Sequence, residues 1–434
     1  MLPNRYPFYP TFIIFSIPLF LLFPCCGKED STPNVAPDAL ISPTTGTRQE
    51  LTLDSIFLYA RQAYLWNDAL PPYTDFNPRK RYGGITPELT AYQLELYDIS
   101  QYKLRTDGQA YEWSNIDTRA KYSYVERYTG NSISSARANT ESGVGLNMRQ
   151  HLEIAGKKVS YLAISSFPQL SNIQNELDEA FAEIAAAGSS HLIVDLRSNG
   201  GGYVESAEYL ANLIAPSSVK GKVMFSEQFN GRMQNKQATI LQYQPYLDVH
   251  GKSVYYNGRL ATMADIDYSE IANTHYFSKK GALEGITQLY FIVSNRTASA
   301  AELLISSLKP HLSVKLVGQR TYGKPVGFFP IRIDNYTVYL ASFLIRNADG
   351  WSDYFDGMPV DIEVSGDNSL PLGDPQELYL QAVLADIAGQ SSKNKHLKPQ
   401  ASSRPDKICE PDQYYQTNDY TIPVVKQYFK FKPF

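Results

Sequence analysis

Three short apolar runs constrain this chain more than any other feature: HLIVDL (191–196), LYFIVSN (289–295) and VKLVG (314–318). Each is too short for a buried helix and too continuous for a half-exposed strand, so each reads as a strand covered on both faces. Helix-periodic stretches stand beside them: IQNELDEAFAEIAAAG (173–188), YVESAEYLANLIA (203–215) and ASAAELLISSLK (298–309). With VSYLAISSF (159–167) as a further strand, the alternation predicts βαβ units around a parallel sheet, an α/β core.

The remaining sequence has a different texture. ELTLDSIFLYARQAYLWNDAL (50–70) carries Ile56, Phe57, Ala60, Tyr64 and Leu65 on one helical face, with Asp54 as the expected cap and Pro71-Pro72 as the stop. Helical and turn-rich sequence continues to about 142, giving a small, mainly helical cap domain over 50–150 ahead of the core at 151–390. The Tyr-rich stretch 219–285 reads as strands and loops inserted into the core, and FFPIRI and YTVYLASFLI as β-hairpins. Residues 391–434 read as a loose tail whose aromatic end docks on the body.

At the N-terminus, TFIIFSIPLFLLFP (11–24) is too short to span a bilayer and has the length of a secretory h-region. Cys25 and Cys26 follow at once, which resembles a bacterial lipoprotein signal over 1–26. Cys26 is the expected lipidated residue, followed by a flexible tether over 27–49. The expectation is a secreted lipoprotein held at the outer membrane, on its periplasmic or cell-surface face. Only Cys409 would then remain in the mature chain, so no disulfide framework is available. The histidines (151, 191, 250, 275, 311, 396) show no paired metal spacing. A net charge of −4 without a basic stripe argues against nucleic acid.

Loops after three of the strands carry the chemistry. In GQRTYGKPVG (318–327), Gly318 and Gly323-Lys324 have P-loop spacing, but Pro325 replaces the magnesium-binding hydroxyl and strand-like sequence follows. The nucleotide reading therefore fails, and no cofactor is expected. DLRSNGGG (195–202) is a glycine turn whose backbone N–H groups suit a developing oxyanion. In NRTASAAELL (295–304) a serine opens a helix, either as a cap or as a nucleophile in the positive end of the helix dipole. All three loops leave the C-terminal ends of strands and so meet at one sheet edge. A serine, an amide site and a lysine whose pKa burial would lower make a Ser-Lys arrangement.

DLRSNGGG, TASAAE and GQRTYGKPVG, in this order, resemble the signature segments of the tail-specific (C-terminal processing) serine proteases. The resemblance covers roughly residues 50–390, and the Ser299-to-Lys324 spacing is the one that family uses. YLWNDALP, YLAISSF and GMPVDIEV (357–364) extend it. It implies a ClpP/crotonase-like protease core and an endopeptidase acting on extended or unfolded polypeptide. By position, Ser299 would be the nucleophile and Lys324 the base. The Ala300 amide with that of Gly200 or Gly201 would form the oxyanion hole. Two departures stand out. Phe328 occupies the place where the family often carries Gln or Glu to orient the lysine. Between GVGLNM (143–148) and the core strand there is also no room for the usual PDZ domain. These departures keep a second reading open, a non-catalytic lipoprotein binding a peptide, glycan or small ligand on the same scaffold.

Overall fold

The structure, a computed structural model, describes residues 42–128, 145–248, 251–366, 370–390 and 429–432. The apolar run at 11–24, Cys25, Cys26, Cys409 and residues 391–428 lie outside them.

Helix α1 (Arg48–Ala63) starts from Thr47, whose hydroxyl accepts the Glu50 N–H (3.2 Å) while the Glu50 carboxylate accepts the Thr47 N–H (2.8 Å). That reciprocal cap replaces the one expected at Asp54. Asp54 lies within the helix, buried, accepting from the Tyr73 hydroxyl (2.5 Å) and Arg79 (2.6 Å). The helix ends at Ala63, well before the prolines, because Tyr64 is extended. Next come α2 (Tyr73–Phe76), α3 (Pro78–Tyr82) and α4 (Glu88–Ser100), of which α3 and α4 pack on α1. Strand β1 (Tyr124–Arg127) closes this region.

The core opens with a hairpin that the sequence reading lacked, β2 (Leu146–Ile154) and β3 (Lys157–Ile164). Its turn uses positive φ at Ala155 (51°) and Gly156 (75°), as a two-residue hairpin requires. The end of GVGLNM therefore runs straight into an edge strand of the core. There follow α5 (Leu170–Ala187), β4 (His191–Asp195) and α6 (Val204–Ile214). The Tyr-rich insert holds β5 (Val223–Phe229), α7 (Gly231–Gln234), β6 (Tyr255–Tyr256), β7 (Arg259–Leu260) and β8 (Thr274–Tyr276). Then come β9 (Gln288–Val293), α8 (Ala300–Leu308) and β10 (Val314–Gly318). Short strands β11 (Val326–Gly327), β12 (Pro330–Ile333), β13 (Tyr336–Tyr339), β14 (Phe343–Asn347) and β15 (Ile362–Glu363) precede α9 (Leu378–Ile387).

The main sheet has the order β15-β10-β9-β4-β3-β2, parallel throughout except for β2 against β3. Alternation along each strand explains the continuous apolar runs. Leu192 and Val194 of β4, with Leu289, Phe291 and Val293 of β9, pack under α5, α6 and α8. Ile193, Tyr290 and Ile292 point the other way, under α9. Side chains of α1 and α4 belong to the same apolar cluster as the α5–α6–α8 face, and the described residues from 42 onward form one compact unit.

Candidate active site

The order β10-β9-β4 places three parallel strands side by side, with Asp195 opposite Ile292 and Val293 opposite Gly318. The glycine loop, the serine loop and the lysine loop therefore leave from one edge of the sheet. Beneath the glycine loop, Arg197 bridges Asp195 (2.5 Å) and Glu377 (2.8 Å), and Glu377 in turn caps α9. That network clamps the end of β4 to the opposite layer.

Ser299 occupies the cap position of α8 with φ 62° and ψ −121°. A non-glycine residue held in such a region costs about 1–3 kcal/mol and persists only where its surroundings fix it. They do so here. The Ala298 N–H donates to the Asn199 carbonyl (3.1 Å), the Thr297 hydroxyl to the Leu196 carbonyl (2.7 Å), and the Tyr322 N–H to the Thr297 carbonyl (2.9 Å). The Ser299 hydroxyl, which a capping serine would spend on the first turn, has no hydrogen-bond partner and is fully buried.

The glycines fit against this serine. A Cβ on Gly201 would stand 2.6 Å from the Ser299 Cβ and 2.9 Å from its Oγ, and Gly201 has φ 109°. The two candidate glycine amides differ. Gly201 N–H is taken by the Asn199 side-chain oxygen (2.8 Å), while Asn199 Nδ2 donates to the Ile164 carbonyl (3.1 Å). Among the described residues, the Gly200 amide and the Ala300 amide at the first position of α8 have no acceptor. Those two are the donors free to meet an oxyanion, with the helix dipole behind Ala300.

Lys324 is 1% exposed, and its Nζ has no hydrogen-bond partner. The ammonium position lies 4.6 Å from the centroid of the Phe328 ring. An aromatic face thus stands at the position where the resembled family often carries Gln or Glu, and it attracts the charged form without accepting a hydrogen bond from it. Burial is the main influence on this amine. It lowers the pKa from 10.5 to about 7, against the opposing pull of the Glu302 and Glu112 carboxylates.

Sequence reasoning passed over Glu302, three residues after the serine, although Ser-x-x-Glu at a helix start is a capping-box signal. Its buried carboxylate ties the loops together. One oxygen, Oε2, accepts both the Ser299 N–H (3.0 Å) and the Lys324 N–H (2.8 Å). The other, Oε1, accepts the Thr321 hydroxyl (2.5 Å) and the Gly323 N–H (2.8 Å). Burial pushes this carboxyl's pKa up, and those hydrogen bonds oppose the rise. A second contribution comes from the N-terminal region. The Tyr122 hydroxyl donates to the Gly323 carbonyl (2.7 Å), and buried Glu112 accepts from the Tyr122 N–H (3.2 Å) and Ser123 N–H (2.6 Å). After Lys324 the backbone enters β11, not the helix that a P-loop would require.

Residues 158–364, from the start of β3 through β15, match peptidase family S41. This stretch is a peptidase family S41 domain. All three loops lie inside it, and the resemblance read from them is borne out. A chloroplastic C-terminal processing peptidase of Tetradesmus obliquus is 23% identical over 39% of this chain and 27% of its own length. The carboxyl-terminal-processing peptidase 1 of Arabidopsis thaliana, also chloroplastic, is 27% identical over 38% and 25%. The chain thus spans about a quarter of the length of the curated relatives it matches. Similar solved structures include a putative S41 protease from Bacteroides fragilis, 22% identical with a TM-score of 0.44, covering 57% of this chain and 59% of that one. Another is a photosystem II D1 C-terminal processing protease, 17% identical with a TM-score of 0.39, covering 56% and 54%.

Proposed function

We propose that this S41 domain is a serine endopeptidase working through a Ser299–Lys324 dyad on extended or unfolded polypeptide. The observation that carries this reading is a buried Lys324 amine and a buried Ser299 hydroxyl, both without hydrogen-bond partners, on two loops whose Ser299 and Lys324 backbone N–H groups share one carboxylate oxygen of Glu302. Neutral Nζ of Lys324 takes the Ser299 proton as Oγ attacks the scissile carbonyl carbon. The carbonyl oxygen becomes an oxyanion against the Gly200 and Ala300 amides. Collapse breaks the C–N bond, the lysine ammonium gives its proton to the leaving amine, and an acyl-enzyme remains. Water, deprotonated by the same lysine, then releases the acid and regenerates the serine.

Ser299→Ala and Lys324→Ala should each lower casein hydrolysis by about a thousandfold or more while leaving the circular dichroism spectrum unchanged. The base works unprotonated, so activity should rise with pH through about 7. Undiminished turnover by Ser299→Ala would overturn the reading.

We further propose that the protein is anchored to the outer membrane through Cys26. The support is the apolar run directly ahead of the two cysteines. Cells given a palmitate label should incorporate it into the natural chain and not into Cys26→Ala; equal labelling of both would exclude anchoring there.

A further inference from the structure

The last described residues, Phe429–Lys432, lie in a groove formed mainly by the Tyr-rich insert and not by the main sheet. They pair with the segment 265–267 as an added strand. Ile266 and Phe431 are antiparallel partners. The Asp267 N–H donates to the Lys430 carbonyl (2.9 Å), and the Lys432 N–H to the Asp265 carbonyl (3.0 Å). Side chains alternate as a strand demands. Phe431 stacks on Tyr256 (4.7 Å, 13°) and meets Tyr246 edge-on (5.1 Å, 74°). Phe429 meets Tyr268 (6.2 Å) and Phe329 (6.2 Å) edge-on. Lys430, between them, is exposed. At the far end, Lys432 Nζ donates to the Ala264 carbonyl, and the Tyr256 hydroxyl donates to the Lys432 carbonyl (2.5 Å).

Contacts internal to the body hold the groove in shape. Arg259 grips the Asp265 carboxylate through two nitrogens (2.9 and 2.5 Å), and the Thr262 N–H donates to the same carboxylate (2.8 Å). The Tyr268 hydroxyl donates to the Met263 carbonyl (2.8 Å), and Tyr246 and Ala261 are joined through the backbone (2.9 Å). None of these bonds involves the tail. A strand edge fixed by its own side chains, with an aromatic pocket for every second residue, is how a peptide receptor is built, with main-chain bonds for affinity and alternate pockets for selectivity.

We propose that this groove is a peptide-binding site for an extended segment reading aromatic–any–aromatic–basic. The chain's own Phe429–Lys432 occupies it in cis, and the same pattern in another polypeptide can replace it. One wall of the groove, Phe329, is the next residue after the ring beneath the Lys324 amine. An incoming polypeptide held there would therefore be delivered beside the lysine loop. The inference concerns binding and does not depend on Ser299 being a nucleophile.

The test uses a fluorescein-labelled synthetic peptide of residues 427–434 and two full-length proteins, the natural chain and its Phe429→Ser/Phe431→Ser variant. Fluorescence anisotropy should show saturable binding to the variant, whose groove has lost its tethered occupant. Binding to the natural chain should be weaker by about tenfold or more, because a tethered segment competes at an effective concentration near the millimolar range. A control peptide with both phenylalanines replaced by serine should bind neither. Phe431→Ala, which leaves one ring in place, should bind with intermediate strength. Equal binding to natural and variant chains, or none to a variant that melts cooperatively, would overturn the proposal. So would loss of the fold in both variants, since the tail would then be part of the core.

Discussion

Burying Lys324 over the face of Phe328 removes water from an amine whose ordinary pKa is 10.5 and brings that value to about 7. Between those two pH values an unfolded chain carries the proton and the folded one does not. The folded state is therefore at its greatest disadvantage at and below about pH 7, and its stability rises with pH across the window. Lys324→Met keeps the length and discards the charge, so it should stabilise the fold at pH 7 by an amount on the order of a few kcal/mol. That gain should shrink as pH approaches 10.5. Urea midpoints at pH 7 and pH 10 measure it, and a less stable methionine variant would mean that the ammonium has a partner in the fold. Ser299 and Lys324 were both legible in the sequence because their types and loop positions are chemically distinctive. Glu302 was legible only as a cap. Nothing local marks Tyr122, whose contact with the lysine loop crosses two hundred residues of chain, or Glu112, which holds the Tyr122 and Ser123 N–H groups behind it.

Regular elements deliver these residues to one sheet edge, and the glycine turn after β4 fits closely against the serine. Gly201 has φ 109° and leaves no space for a methyl group beside the Ser299 hydroxyl. Gly201→Ala should therefore lower kcat on casein by about a hundredfold, the scale associated with a disturbed oxyanion site, with a smaller change in KM. A variant with natural kcat would show that the turn yields. At this scale the sequence was most informative where one physical signal dominated. The runs in β4, β9 and β10 could be read because both faces of those strands are covered by helices. The hairpin partner β2 escaped notice because alternate residues along it stay partly or wholly exposed and include Asn147, Arg149, His151 and Glu153. Helix α1 was found, but its start was misplaced, since a buried Asp54 paired with Arg79 and a capping aspartate look alike in one dimension.

On the scale of the whole molecule, the N-terminal helices and the protease core share one apolar cluster, and β1 adds itself to β13 with Tyr124 opposite Tyr339. Stacked Tyr124 and Tyr339 rings (4.5 Å) and the Ala341 N–H on the Ser123 hydroxyl (3.0 Å) extend that seam. A chain starting at residue 145 would lose this strand together with Glu112 and Tyr122. It should fail to unfold cooperatively in urea and should lack the near-ultraviolet circular dichroism of the full chain; a sharp transition would show that the core stands alone. The seam also gives the site a place in time. A ribosome releases β1, then the serine, then the lysine, and only afterwards the strand that β1 must join. Ser299 and Lys324 are therefore both synthesised before β13, so the nascent chain carries the whole candidate site before its N-terminal strand can be sealed to the core.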